Sequence, residues 1–193
     1  MILPSLKTGQ TPEQMYNTVS DILTKAKEQN LVAFIGGGYA RDTILNKPIK
    51  DIDVFVLSSL CPLAPTLELS CYGNRTNLGG SGGNLRDDVV YIEKYDDKDV
   101  DVIYMDQESI LNVCYNFDTS ICQCYTILND EGVLETYISE DFKQYLDNNI
   151  IYLYKDISTC DSHLERIRAK FPDAIFEKKM SDCTNNKFTK WSD

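Results

Sequence analysis

Leu31-Val32-Ala33-Phe34-Ile35-Gly36-Gly37-Gly38-Tyr39-Ala40-Arg41-Asp42, continued at Asp51-Ile52-Asp53-Val54-Phe55-Val56-Leu57, is the stretch on which the fold turns. The apolar run Leu31 to Ile35, closed by glycines, reads as a buried strand. Tyr39 to Leu45 is a short helix. Asn46-Lys47-Pro48 ends it, because the residue before a proline is pushed out of helical geometry. Asp51 to Leu57 alternates: Asp51, Asp53 and Phe55 share one face, and Ile52, Val54 and Val56 form the other, which is the core face. Strand, glycine turn, helix and acidic strand, in that order, describe an α/β (α+β) domain with its chemistry at the turn.

On the N-terminal side, Thr11-Pro12-Glu13-Gln14 combines a cap residue, a proline at the first helical position and a capping-box glutamine. It predicts a helix to about Asn30, whose apolar face carries Met15, Val19, Ile22, Leu23 and Ala26. On the C-terminal side, the prolines and Gly79-Gly80-Ser81-Gly82-Gly83 leave Ser58 to Asp87 without period. The expectation is a long mobile loop, either functional or disordered. Val89 to Tyr95 and Val100 to Met105 read as strands, with Asp96-Asp97-Lys98 as a hairpin turn.

Beyond them lie apolar stretches at Ile121 to Leu128 and Ile150 to Tyr154, and a turn at Asn129-Asp130-Glu131-Gly132. Short helices are expected at Gln107 to Val113 and Glu140 to Leu146, and a firmer one from Asp161 to Phe171, stopped by Pro172. Asn185 to Asp193 reads as a weakly ordered tail. The organisation is a main unit over residues 1–156 and a short basic helical extension over 157–193.

The 193 residues suffice for one domain, and 42% hydrophobic and 25% charged residues are ordinary for a globular protein. No window approaches the ~20 apolar residues that span a bilayer. Met1 to Gln10 has no basic run before an apolar core, so a cytoplasmic protein without membrane attachment is expected. A net charge of −11 argues against a protein that holds nucleic acid by neutralising many phosphates. A transient nucleic-acid substrate stays open, and only the segment from residue 163 onward is basic. Seven cysteines without a Cys-x-x-Cys pair indicate neither a disulfide framework nor a zinc site, so buried reduced thiols are expected.

The chemistry concentrates at the glycine turn. Glycines let backbone N–H groups approach an anion, and the start of the following helix favours negative charge. Asp51 and Asp53 point the same way, roughly 7 Å apart along the strand at ~3.3 Å per residue. They can share hard cations, as in sites where two ions ~3.5–4 Å apart hold the oxygens of a phosphoryl displacement. A third carboxylate is expected from a neighbouring strand. Asp99 and Asp101 share a face there, and Asp101, deeper in the strand, is preferred.

Gly36-Gly37-Gly38-Tyr39-Ala40-Arg41-Asp42 with Asp51-Ile52-Asp53 resembles the Gly-Gly-x-x-Arg-Asp … Asp-x-Asp signature of the head domain of bacterial-type poly(A) polymerases and CCA-adding tRNA nucleotidyltransferases, members of the polymerase-β-like nucleotidyltransferase superfamily. Asn116-Phe117-Asp118-Thr119-Ser120-Ile121-Cys122-Gln123 is similar to the Arg-Arg-Asp-Phe-Thr-Ile-Asn segment of that family, with Phe and Asp transposed and both arginines missing. The likeness runs from Leu31 to Leu134.

It implies the nucleotidyltransferase fold, a central mixed sheet flanked by helices with a short helical C-terminal extension. It also implies Mg²⁺, as two ions replaceable by Mn²⁺, on Asp51, Asp53 and Asp101, and an NTP triphosphate held near Gly36, Gly37, Gly38 and Arg41, with Asp42 orienting Arg41. Asp118 would bind the sugar or base of the nucleotide, or else cap a turn.

The implied reaction moves a nucleoside monophosphate from ATP or CTP to an acceptor hydroxyl, an RNA 3′ end first, with release of pyrophosphate. A small-molecule or protein acceptor, or a non-catalytic binding module of the same fold, are the alternatives. The helix from Asp161 faintly resembles the family's base-selecting helix, with Asp161, Arg166 and Arg168 as partners, or is simply structural. His163 reads as a surface residue rather than a catalyst. Base choice and oligomeric state are not readable.

Overall fold

The computed structural model describes residues 10–60, 67–69, 75–77, 88–95, 99–154, 161–179 and 185–192. Helix α1, Pro12–Glu28, starts at a complete capping box: the Thr11 hydroxyl accepts from the Gln14 N–H, and the Gln14 side chain accepts from the Thr11 N–H. Strand β1, Ala33–Gly36, leads through Gly37 into α2, Gly38–Ile44, and then to β2, Ile52–Leu57. Next come β3, Arg75–Asn77; β4, Val89–Tyr95; and β5, Val100–Met105. After α3, Ile110–Tyr115, a 3-10 turn at Ser120–Cys122 opens onto β6, Cys124–Leu128, and β7, Leu134–Ser139. The chain closes with α4, Glu140–Asn148; β8, Ile150–Leu153; α5, Asp161–Lys170; β9, Ile175–Lys178; and β10, Phe188–Lys190.

Eight strands form one mixed sheet in the order β10-β7-β6-β1-β2-β5-β4-β3, and β8 and β9 make a separate parallel pair. Among the described residues of the large sheet only β2 and β5 run parallel, so the acidic beginnings of both strands lie at the same end, Asp53 level with Asp101. One face of the sheet is closed by α1: Val19, Ile22 and Ala26 pack with Ile52, Val54, Val56, Val102 and Tyr104. Residues of opposite parity face the other way, where Phe34, Phe55, Leu57 and Met105 pack with Val113 and Tyr125. A further cluster joins Ile121, Ile138, Phe142 and Ile151 to Ile167 and Phe171 around α5.

The elements at the N-terminal half fall where the pattern placed them, and three expectations are corrected. The segment 185–193 is not a loose tail throughout, because β10 forms the sheet edge against β7. Phe188 lies against the rings of Tyr125 and Tyr115, at 5.5 and 5.9 Å, and Lys190 Nζ bonds Glu135 at 2.7 Å. The stretch 58–87 contains β3, paired with β4, and the fully buried Leu67 and Leu69. The Leu67 N–H donates to the Tyr104 hydroxyl at 2.7 Å, which ties this stretch to the sheet. The helix expected from Gln107 starts later, since Ser109 is its cap and accepts from the Asn112 N–H. Strands β7 and β9 were not foreseen. The expected turn at 96–98 and the glycine cluster at 79–83 lie outside the described residues.

Candidate active site

The glycine turn is built by two different constraints. Gly37 caps α2 at φ 58° and ψ −115°, a conformation side chains with a β-carbon rarely adopt. Gly36 has an ordinary φ but no room: a Cβ there would lie 2.7 Å from the Phe55 ring, which is clamped by stacking on Phe34 at 5.1 Å and edge contact with Phe117 at 5.8 Å. A Cβ on Gly38 would meet only ordinary contacts, at 3.7 Å from Arg41 and 3.8 Å from Asp51. Gly36→Ala is therefore expected to cost about 1–3 kcal/mol by overpacking, whereas Gly38→Ala is sterically tolerated. Thermal denaturation of the two variants checks the contrast.

Asp51, just before β2, and Asp53, within it, lie beside this turn: Asp53 Oδ2 is 4.0 Å from a Cβ built on Gly37. Asp101 stands across from Asp53 on β5, while Asp99 falls before that strand at φ 48°, its carbonyl accepting from the Ile52 N–H at 2.9 Å. Burial first, then the charges of Asp51 and Asp101, push the Asp53 carboxyl up to about 7. Asp51 pairs with Lys50 at 3.3 Å, and Asp101 with Lys94 at 3.1 Å.

As the side chains stand, no three His, Cys, Asp or Glu groups among the described residues converge tightly enough to hold an ion. The donor set nevertheless fits a divalent cation. Its oxygens belong to adjacent strands, the carboxylates repel one another, and the lysines facing them are 57% and 43% exposed and free to swing away.

Arg41 is buried, with Nε and Nη2 on the two Asp42 oxygens at 2.8 and 3.0 Å, Nη1 at 3.7 Å from Cys122 Sγ, and its guanidinium 5.8 Å from the Phe171 ring centroid. Asp42, itself buried, also accepts from Lys170 on α5. The pair expected from sequence is thus an anchor between α2 and α5. These groups open onto a cleft of about 410 Å³.

Lys50, Arg166 and Lys170 add cations to its walls, and Phe55 and Phe117 an apolar surface. Asp118, Cys122, His163 and Ile167 complete the lining. His163 is a half-buried cleft residue rather than a surface one, its Nδ1 2.7 Å from Asp118 Oδ2. Arg168 instead stacks on Phe176 at 5.6 Å, and Asp161 opens α5 without a described side chain. Lys170, Cys122 and His163 are not legible as cleft residues in the sequence because α5, the 3-10 turn and the β1–α2 unit meet only in the fold, whereas Lys50, next to Asp51, could have been found from its neighbour.

No protein-family model and no curated protein matches the chain. Solved structures do match in fold. A tRNA-processing enzyme in an apo form aligns with a TM-score of 0.57 at 20% identity, over 90% of this chain and 46% of that one. The Thermotoga maritima CCA-adding enzyme complexed with tRNA aligns with a TM-score of 0.60 at 17% identity, over 91% and 42%. A CCA-adding enzyme with ATP aligns with a TM-score of 0.58 at 17% identity, over 86% and 41%. The chain spans less than half the length of these neighbours.

Proposed function

We propose, for a chain that has the fold of the CCA-adding nucleotidyltransferases, a metal-dependent transfer of a nucleoside monophosphate from ATP or CTP to an RNA 3′ hydroxyl, with release of pyrophosphate. The observation that carries the reading is that Asp51 and Asp53 line the cleft beside the Gly37-Gly38 turn, with Asp101 level with Asp53 on the neighbouring parallel strand. Solved fold neighbours include a CCA-adding enzyme with CTP, one with ATP and one complexed with tRNA, which favours RNA as acceptor.

Asp51 and Asp53 would hold Mg²⁺, with Asp101 as the third ligand, and the metal would supply charge neutralisation at the triphosphate and a lower pKa for the attacking hydroxyl. Lys50 and Arg166 supply charge to the phosphates, and Asp42 keeps the Arg41 guanidinium in one orientation so that no reorganisation is needed when the nucleotide arrives. The open backbone at Gly37 and Gly38 admits phosphate oxygens, while Phe55 and Phe117 offer the base an apolar wall. Asp118, already bound to His163, would meet the sugar or the base. Four cations, Arg41, Lys50, Arg166 and Lys170, line the cleft beside four carboxylates, Asp42, Asp51, Asp53 and Asp118, a mixture that suits a nucleotide bound together with metal ions.

Incubation with α-labelled ATP or CTP, Mg²⁺ and mixed RNA is expected to label RNA 3′ ends. Label on protein or small-molecule acceptors only would reassign the acceptor, and no transfer to any acceptor would leave a nucleotide-binding module.

A further inference from the structure

Two of the three acids are already held by lysines, and the two pairs are built differently. Lys50 is the chain neighbour of Asp51, ahead of β2, and their side chains are 57% and 39% exposed. Lys94 comes from another strand and reaches Asp101 at 3.1 Å. The ladder sets Lys94 directly opposite Asp101, Asp101 level with Asp53, and Asp53 opposite Gly36. Residues paired in this way share a face of the sheet, so the lysine, two acids and the glycine turn form one row across β4, β5, β2 and β1.

Strand β4 is fixed at this point. Glu93 and Tyr95, on either side of Lys94 and facing the other way, are buried. The Tyr104 hydroxyl donates to Glu93 at 3.1 Å, and the Tyr95 hydroxyl donates to the Leu67 carbonyl at 3.2 Å. On the outer side, β3 pairs with β4 and places Thr76 opposite Lys94. The backbone therefore delivers the lysine to Asp101, and only its side chain, 43% exposed, is free to leave.

We propose that Lys94 is a positioning residue acting through Asp101: its ammonium is an internal counter-cation that holds this acid in the metal-free protein and is displaced when a divalent ion binds. The inference rests on the metal site proposed above. An ammonium is a compact charge that relieves carboxylate repulsion, as a metal ion does, but it does not gather six or more oxygens around itself. With Lys50 on Asp51 and Lys94 on Asp101, the acids are taken by separate cations, and among the described residues no three of them converge. An entering divalent ion has to win Asp101 from Lys94 against the repulsion of a like charge. Lys94 thereby raises the concentration of metal needed to fill the site.

The test titrates Mn²⁺ alone, without nucleotide, into the full chain and reads free Mn²⁺ by electron paramagnetic resonance. Lys94→Met, which keeps the length of the stem and removes the charge, is expected to bind Mn²⁺ about threefold tighter or more, the upper range for one partly exposed ion pair. Lys94→Gln repeats the comparison, and circular dichroism checks the folding of both. Lys94→Arg, which keeps the charge, is expected to stay close to wild type. So is Lys27→Met, which removes an equal charge from the pair with Asp130, outside the cleft. In an Asp101→Asn background the gain from Lys94→Met is expected to vanish, and a gain of the same size there overturns the route through Asp101. Unchanged or weaker binding by the folded Lys94→Met and Lys94→Gln variants, with Mn²⁺ bound by wild type, overturns the proposal and leaves the metal site standing. Mn²⁺ bound by neither wild type nor variants overturns the metal site itself, and this proposal with it.

Discussion

Asp53→Asn is expected to remove nucleotide transfer and, in metal-free buffer, to make the protein more stable. The two effects have one origin. Desolvation, then the charges of Asp51 and Asp101, push the Asp53 carboxyl up to about 7 from an ordinary 3.8. A carboxyl raised in the folded state destabilises the fold only where the unfolded chain would ionise. The penalty is absent below pH 3.8, grows as pH rises and is complete above about 7. Asparagine keeps the shape and discards the charge. At pH 8 with a chelator the variant should gain about 2 kcal/mol, or roughly 4–8 °C in Tm, with the gap closing as pH falls toward 4.

Transfer should meanwhile fall by at least about 10²-fold, the scale on which loss of one preorganised electrostatic group slows catalysis. Thermal melts across that pH range, paired with the labelled-nucleotide assay, read both. A variant that melts lower than wild type at pH 8, or transfers as fast, contradicts the electrostatic account of this cluster.

Asp42→Ala is expected to be the most damaging single change to stability. The Asp42 carboxylate is 2% exposed and accepts from both Arg41 and Lys170, so its removal leaves two cations facing each other without a counter-charge. Loss of one partner from a buried ion pair costs about 3–5 kcal/mol. Burial already holds the Lys170 ammonium below its ordinary range, and without Asp42 it would fall further. Lys170→Met in the same chain should return part of the loss by removing one stranded charge. Urea denaturation of the single and double variants measures this. A loss under about 1 kcal/mol for Asp42→Ala would mean that water reaches these groups freely.

What could be read from the chain was what local chemistry determines. The Thr11 capping box, the apolar face of α1 and the alternation of Ile52, Val54 and Val56 each carry their signal within a few residues, and each element formed there. Asp101 could be preferred over Asp99, on the same face, because it lies deeper in the strand, and it stands level with Asp53. The edge of the sheet was not legible. Strand β10 is three residues long and pairs with β7 some fifty residues earlier, so neither period nor proximity announces it. In β7, Thr136 and Tyr137 blur the alternation.

The second half of the cleft failed for the same reason. His163, Arg166 and Lys170 sit at helical spacing on a basic helix that would look identical facing solvent. Only the docking of α5, through Ile167 and Phe171 in the core cluster and Lys170 on Asp42, turns them inward. Cys122 read as one more buried thiol because Arg41, which bonds it, lies on α2.

Anomalous scattering from Mn²⁺, in crystals grown with a non-hydrolysable ATP or CTP analogue, examines the acid cluster most directly. The expected result is metal density bound by Asp51 and Asp53, with Asp101 within ligand reach, the triphosphate against Gly37 and Gly38, and Lys50 and Lys94 swung off their carboxylates. Nucleotide seated in the cleft with both lysines still paired and no metal at the acids would contradict it.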